Sequence, residues 1–231
     1  MQQPPPGYGP PPQGYAQPQT PGMQAPQPQY GLVPAGQSGL AQGPWSHMEY
    51  TIKRPFWSFL GRKFHVYAPD GSLVLFVKHP LFKLKQEFVM YTDESEKQPL
   101  LTIRARNIIG FNIAHDVFDA YTNQKVGTIR TRGLKSILRD TWDVLDPNDQ
   151  AVGLVQEDGA ALLRRFFPIL TGKWHVELGG QKVAGIRQVF RFFTKEFKLD
   201  LSMNSGRMDP RFAIGCAIMA LMAESRREAA S

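Results

Sequence analysis

One phrase recurs along this chain and limits what it can fold into. An apolar residue, any residue and Val are followed by a turn and a second short apolar strand. Four copies are plain: Phe64-His65-Val66 with Pro69-Asp70-Gly71 and Leu73-Val74; Asp116-Val117-Phe118 closing on Val126-Gly127-Thr128-Ile129; Trp142-Asp143-Val144 closing on Val152-Gly153-Leu154-Val155; and Trp174-His175-Val176 closing on Val183-Ala184-Gly185-Ile186. A fifth, Phe88-Val89-Met90-Tyr91, returns through Leu100-Leu101-Thr102-Ile103. Each copy alternates on both sides of a Gly, Pro, Asn or Asp turn, which is the pattern of a β-hairpin. Repetition of one supersecondary unit predicts an array in which neighbouring units share a core.

The array occupies only part of the chain. Residues 1–48 contain no Asp, Glu, Lys or Arg, and twelve of the nineteen prolines lie there among Gln, Gly and spaced Tyr. Such a segment has too little apolar surface to offset the entropy of ordering it, so 1–48 is read as a disordered Pro/Gln/Gly/Tyr-rich tail. The other 183 residues (231 − 48), 49–231, suffice for one core and one domain. All of the +7 formal charge falls in that domain and suits an anionic partner. A lone cysteine, Cys216, and no visible secretory signal at the N-terminus point to a reducing, cytoplasmic setting.

The predicted elements are a first strand at 49–53, hairpins at 63–78, 84–106, 113–131, 139–157 and 173–189, and a last strand at 193–203. Residues 160–167 read as a short helix stopped by Pro168. One strand, five hairpins and one strand make twelve. Asp209-Pro210 then starts a helix to about residue 225, since Asp caps free amides and Pro is tolerated at the first helical position. Phe212–Ala223 is apolar on every face, which marks burial. Twelve residues rise only ~18 Å, short of the ~20 apolar residues a bilayer core needs. A twelve-stranded barrel offers a better home, because its bore is wider than the eight-stranded kind that side chains alone can fill. The expected fold is mainly β: a twelve-stranded closed barrel of repeated antiparallel hairpins around a buried hydrophobic C-terminal helix.

The hairpin run ending in Asp209-Pro210-Arg211-Phe212-Ala213-Ile214-Gly215-Cys216 resembles the phospholipid scramblase and LURP-one-related group over residues 49–225. That resemblance implies the Tubby C-terminal type of fold, a twelve-stranded barrel around a central helix. It also implies association with phospholipid and assistance of lipid movement between leaflets, by a protein peripheral to the inner face of the plasma membrane. Animal scramblases carry a cysteine cluster for palmitoylation, which this chain lacks, and an acidic segment ahead of the helix proposed to bind calcium. Here that stretch is Lys195–Asn204, with two acids and two lysines. The resemblance is therefore the one argument for calcium, and no other cofactor is expected.

The residues themselves point to binding rather than catalysis. His65 and His175 occupy equivalent repeat positions, and His115 sits one place earlier; none shows metal-ligand spacing, so they are read as fold residues. Asp116, Asp119, Asp140, Asp143, Asp146 and Asp149 read as turn residues and strand caps. No nucleophile elbow, phosphate loop or dinucleotide turn is present, so no enzyme is expected. Arg104/Arg106 and Arg130/Arg132, two apart, point outward from their strands, as do Lys83/Lys85. Lys53-Arg54-Pro55-Phe56-Trp57-Ser58-Phe59-Leu60-Gly61-Arg62-Lys63 sets large apolar groups between pairs of cations. Leu162–Phe167, around Arg164 and Arg165, does something similar, and both patterns suit a membrane interface. The predicted lipid-binding set is Lys53, Arg54, Phe56, Trp57, Phe59, Arg62, Lys63, Arg104, Arg106, Arg130 and Arg132, with an anionic phospholipid surface as partner. Both segments could instead cap the barrel ends. Pro5-Pro6-Gly7-Tyr8 matches a ligand of polyproline-binding grooves and gives the tail a protein partner. A soluble interaction or scaffold module with a partner-binding tail is the alternative function. Nucleic acid is the third reading, with no recognised module behind it.

Overall fold

A computed structural model of the protein describes residues 43–55, 62–79, 87–106, 113–132, 141–158, 171–191 and 194–229. Twelve strands form: β1 (Glu49–Pro55), β2 (Arg62–Tyr67), β3 (Leu73–His79), β4 (Glu87–Tyr91), β5 (Pro99–Ala105), β6 (Ala114–Asp119), β7 (Lys125–Thr131), β8 (Thr141–Leu145), β9 (Ala151–Glu157), β10 (Lys173–Leu178), β11 (Gln181–Val189) and β12 (Thr194–Asp200). Each strand pairs antiparallel with the next in sequence, and β12 returns to β1, so the meander closes into a barrel without an edge. One helix, α1 (Pro210–Ala229), follows. The expected barrel and terminal helix are both present. The last strand is shorter than expected, ending at Asp200, where the chain turns: the Asp200 carboxylate accepts the Ser202 amide at 2.8 Å. The predicted helix at 160–167, the aromatic segment 56–61 and tail residues 1–42 lie outside the described residues.

The recurring phrase has a structural cause. In all five hairpins the register slips at the same place, after Val66, Met90, Val117, Val144 and Val176. The extra residue on the returning strand is Val74, Leu100, Val126, Val152 and Val183 in turn. These are the apolar residues that close each repeat, and all five pack against the core. A β-bulge bends its strand and increases twist, so five bulges at one level curl the sheet. Two turns beside them are built alike. Pro69-Asp70-Gly71 and Pro147-Asn148-Asp149 are three-residue loops closed by a residue in the left-handed region, Gly71 (φ 84°) and Asp149 (φ 68°).

Alternation sends Tyr50, Ile52, Phe64, Val66, Leu75, Phe88, Leu101, Ile103, Val117, Trp142, Val144, Trp174, Val176, Phe197 and Leu199 inward. There they meet α1, whose residues from Phe212 to Met222 are buried, Gly215 fitting by contact. A β-carbon on Gly215 would lie 3.4 Å from Val117 Cγ2 and 3.6 Å from Ile103 Cδ1, so the helix lies close to the wall. Burying a side chain such as Phe212, Ile214 or Leu221 contributes ~1.5–3 kcal/mol. No described helix is long and apolar enough to cross a membrane. The packed domain also begins earlier than composition suggests. Trp45 packs against the core, and the Tyr50 hydroxyl accepts the His47 amide (3.2 Å) while donating to the Pro44 carbonyl (3.0 Å). Burial pushes that phenol up to about 12.

All five hairpin turns lie at one barrel end, with the entry of α1. The strand ends flanking 56–61, 80–86, 107–112, 133–140, 159–170 and 190–193 lie at the other, toward which α1 runs. These are called the turn end and the connection end below.

Gly127 and Gly185 sit one step apart in the repeat, since Gly127 pairs with Val117 as Ala184 does with Val176, and so they face different surroundings. A β-carbon at Gly127 would sit 2.7 Å from Phe212 Cε2 and 3.0 Å from the Leu145 carbonyl oxygen, whereas at Gly185 the nearest atom is Met203 Cε at 3.9 Å. Gly127→Ala is expected to cost ~1–3 kcal/mol through overpacking, and Gly185→Ala less than about 0.5 kcal/mol. Chemical denaturation of both variants checks this; equal losses would show that the helix does not press on β7.

Candidate functional site

The residue just before the Val of the phrase (before Met90 in the fifth copy) points out of the barrel, and four of the five are polar: His65, Asp116, Asp143 and His175. These side chains organise the outer wall. Arg106 grips Asp116 with two hydrogen bonds of 2.7 Å and also donates to Asp149. Lys125 donates to Asp149 and lies 3.4 Å from Asp116, whose Oδ1 further accepts the Thr128 hydroxyl at 2.6 Å. Arg130 and Arg132 share Asp143, Arg130 at 3.0 Å. Arg104 donates to Glu87 at 3.2 Å and lies over the Phe118 ring at 5.1 Å.

The wall arginines of the predicted lipid-binding set do point outward, but each is engaged by a carboxylate. Five cations here, Arg104, Arg106, Lys125, Arg130 and Arg132, face four carboxylates, Glu87, Asp116, Asp143 and Asp149, leaving +1. Asp116 and Asp143 are thus strand counter-ions rather than turn residues or caps. Asp146 has the expected turn role, accepting the amides of Asn148 (2.9 Å) and Gln150 (2.8 Å). Burial pushes the Asp116 carboxyl up, but bonds from Arg106 and Thr128 and the Lys125 charge outweigh it and hold it below the usual range. Bonds from Arg106 and Lys125 bring Asp149 down to about 2.

The histidines are held in similar fashion. His65 meets Glu94 at 3.0 Å, and its ring lies 5.3 Å from that of Phe76. His175 sits between Asp158 (2.6 Å) and Glu177 (3.0 Å). His115 points inward and is buried. Among the described residues no group of three or more His, Cys, Asp or Glu side chains could hold a metal ion. In the stretch compared with a calcium segment, Glu196 bonds Arg191 at 3.3 Å, and Asp200 serves its turn.

At the connection end the picture differs. Lys53 lies over the Tyr67 ring at 5.0 Å. Lys63 reaches the Phe76 ring at 5.9 Å and Glu94 only at 4.0 Å, with half of its side chain exposed. Arg54 ends β1 half-buried. Phe56, Trp57 and Phe59 lie outside the described residues, as does the side chain of Arg62. The two ends differ in sequence chemistry. The segments 56–61, 80–86, 107–112, 133–140, 159–170 and 190–193 carry Lys83, Lys85, Lys135, Arg139, Arg164, Arg165 and Arg191 against Asp140, seven minus one or +6. The turns 68–72, 92–98, 120–124, 146–150 and 179–180 carry Lys97 against Asp70, Asp93, Glu94, Glu96, Asp146 and Asp149, one minus six or −5. Large apolar residues divide the same way. The connecting segments hold, among others, Phe56, Trp57, Phe82, Phe111, Phe166 and Phe193, whereas the turns themselves hold only Tyr121, with Met48, Leu73 and Met203 exposed beside them.

One cluster was missed by sequence reasoning. Arg211 lies in the first turn of α1, where a cation opposes the helix dipole. It forks onto Asp209 and donates to Asp119 at 2.6 Å, 92 residues away. Asp209 is fully buried and caps α1 through the Arg211 amide at 2.9 Å. Asp119 also accepts the Tyr121 and Thr122 amides (3.0 and 2.8 Å), tying the β6–β7 turn to the helix. Burial pushes the Asp119 carboxyl up, but the Thr122 bonds and the Arg211 charge outweigh it, so it sits below the usual range. The available signal was a charged residue opening an otherwise apolar helix.

Arg211→Met would leave two carboxylates without their cation and is expected to cost ~3–5 kcal/mol, with Arg211→Lys in between. The pH dependence follows from Asp116, Asp119 and Asp149, which bind a proton less readily when folded than unfolded. Their contribution is complete above the unfolded carboxylate value, about 4. It is lost as the pH falls through the lower folded values. Melting followed by circular dichroism should show a midpoint that is steady near neutrality and falls below about pH 4. A midpoint unchanged down to pH 2, about the folded value of Asp149, would contradict this account.

Comparison with known proteins returns one family. The model described as LURP-one-related matches residues 48–220, from just before β1 to the middle of α1. No curated protein matches the chain, and no solved structure matches it. The match spans most of the chain and the whole barrel, and the chain belongs to the LURP-one-related family.

Proposed function

We propose that this protein is a membrane-peripheral, phospholipid-binding protein of the scramblase type, acting at the cytoplasmic face of a membrane. Its anionic lipid partner is met at the connection end of the barrel. The observation that carries this reading is the contrast between wall and end. The wall cations are matched almost one for one by carboxylates, so they offer a headgroup little net charge. The connecting segments combine +6 with most of the large apolar residues outside the strands. Aromatic residues among cations suit the headgroup region, and each cation near an anionic surface adds about 1 kcal/mol.

Within the predicted set, this reading selects Lys53, Arg54, Phe56, Trp57, Phe59, Arg62 and Lys63 as lipid contacts. It assigns Arg104, Arg106, Arg130 and Arg132 to holding the wall together. The reading extends to assisting lipid movement between leaflets, which the scramblase resemblance of residues 49–225 supports. With α1 filling the bore, such assistance would act from the bilayer surface. Calcium has no part in the proposal.

Co-sedimentation of the full chain with vesicles tests the reading. Binding to vesicles containing phosphatidylserine, and not to pure phosphatidylcholine, is expected, and it should weaken with salt. Trp57→Ala with Phe59→Ala should weaken it with little change in melting temperature. Replacing Lys53, Arg54, Arg62 and Lys63 by Gln should weaken it and flatten the salt dependence, while Arg130→Gln with Arg132→Gln should leave it near the starting value. If the aromatics cap the barrel instead, Trp57→Ala lowers the melting temperature and leaves vesicle binding alone. Absence of binding at low ionic strength would favour a soluble interaction module whose Pro-rich tail recruits a protein.

A further inference from the structure

We infer that the barrel meets the bilayer end-on, with Phe190 and Arg191 forming a second contact beside the aromatic segment. The turn end, where the N-terminal arm joins the domain, then points away from the lipid. This inference rests on the proposed association with anionic bilayers.

Strand order places the second contact. β12 lies between β11 and β1, and Pro55 pairs with Thr194 and Arg54 with Lys195. The β11–β12 connection therefore rises beside the point where the chain leaves β1 toward Phe56. Phe190 is 53% exposed there, among the few large apolar side chains the described surface presents to solvent. Arg191 follows it and keeps most of its side chain in solvent while bonding Glu196. A half-exposed phenyl ring next to a guanidinium, at the more cationic end of the molecule, has the chemistry of an interfacial anchor.

Charge sets the orientation. The connecting segments carry +6 and the turns −5 in the sequence, while Glu94 and Glu96 of the β4–β5 turn reach Lys63 and Lys78 on the wall, so the two ends differ in charge. An anionic surface attracts one end and repels the other. With Asp149 counted among the turns, the paired wall from β4 to β9 adds Arg104, Arg106, Lys125, Arg130 and Arg132 against Glu87, Asp116 and Asp143, or +2, each cation already engaged by a carboxylate, so lying on that side gains little. The other large apolar side chains exposed on the described surface, Met48, Leu73, Tyr121 and Met203, lie in or beside the turns and so stay in water at the repelled end, Tyr121 at 96% exposure. The arm joins at that end too, because Trp45 packs on the core there and the Met48 carbonyl accepts the Leu201 amide. End-on docking thus leaves the junction at Trp45 and Met48, where the chain enters the domain, on the side away from the membrane.

The test uses the full chain and two single substitutions, Phe190→Cys and Tyr121→Cys, each labelled with an environment-sensitive maleimide fluorophore. Native Cys216 is buried, with its thiol pushed up by burial, so the introduced thiol reacts first; the unmodified chain is the control. The probe membrane is a phosphatidylcholine–phosphatidylserine vesicle with a nitroxide-bearing lipid. The label at 190 should shift to the blue and be quenched, and the label at 121 should keep its aqueous emission. Phe190→Ala should bind these vesicles about fivefold more weakly, as expected for losing partial burial of a ring, at an unchanged melting temperature. Quenching at 121, equal quenching at both positions, or none at either while the protein still co-sediments would overturn end-on docking and leave lipid association standing. Unaltered affinity of Phe190→Ala would remove it as a contact. Failure of the unmodified chain to co-sediment would overturn both readings.

Discussion

The fit between one helix and one bore is the constraint on which the rest of this structure depends. A helix apolar on all sides has no stable place on the surface of a protein in water. A twelve-stranded barrel has an interior too wide for its own side chains to fill. Each solves the problem of the other. The fit leaves little slack: Phe212 lies where a β-carbon at Gly127 would have to be, and Gly215 brings the helix against Val117 and Ile103. The register of the helix is then fixed electrostatically at its entrance. Arg211 joins the cap residue Asp209 to Asp119 on the β6–β7 turn, so the most distant parts of the sequence are locked where the core begins. Such a buried cation between two carboxylates specifies position, because an arrangement that separates them strands a charge.

The five bulges supply the complementary shape. Placing the extra residue at the same level of every hairpin curls all five in the same sense, and using an apolar residue for it keeps the bulge packed on the core. The repeat also sorts charge. Its middle position always faces out, and there Asp116 and Asp143 gather Arg104's neighbours Arg106, Arg130 and Arg132 into short pairs. Exposed pairs of this kind contribute little stability each. Their consequence is a nearly neutral wall, which moves the surplus positive charge of the domain toward the connection end.

Hairpins were legible because alternation and turn chemistry are local, and the closing Val of each phrase signalled a shared geometry. What that Val does was not legible, since a bulge is defined by the partner strand and not by its own sequence. The terminal helix was legible from an uninterrupted apolar run behind Asp209-Pro210. Its lock was not, because Asp119 and Arg211 are 92 residues apart and Asp119 reads equally well as a turn residue. The wall arginines could be given a face but not partners: outward direction follows from spacing, whereas pairing with Asp143 or Asp149 depends on which strands become neighbours. Trp45 was hidden by its context, a lone aromatic at the end of an uncharged, Pro-rich segment. The LURP-one-related match is coarser than a function, and the lipid reading rests on the surface chemistry that this fold separates between its two ends.

The central claim is that α1 is the core of the barrel and stays there when the protein meets lipid. Hydrogen exchange of the backbone amides from Ala213 to Met222, measured on the full chain with and without phosphatidylserine-containing vesicles, tests it most directly. The account predicts that these amides are among the slowest in the molecule, exchanging only with global unfolding, and that vesicles leave them unchanged. Fast exchange in solution, or protection of these amides that changes when vesicles are added while the strands keep theirs, would contradict it.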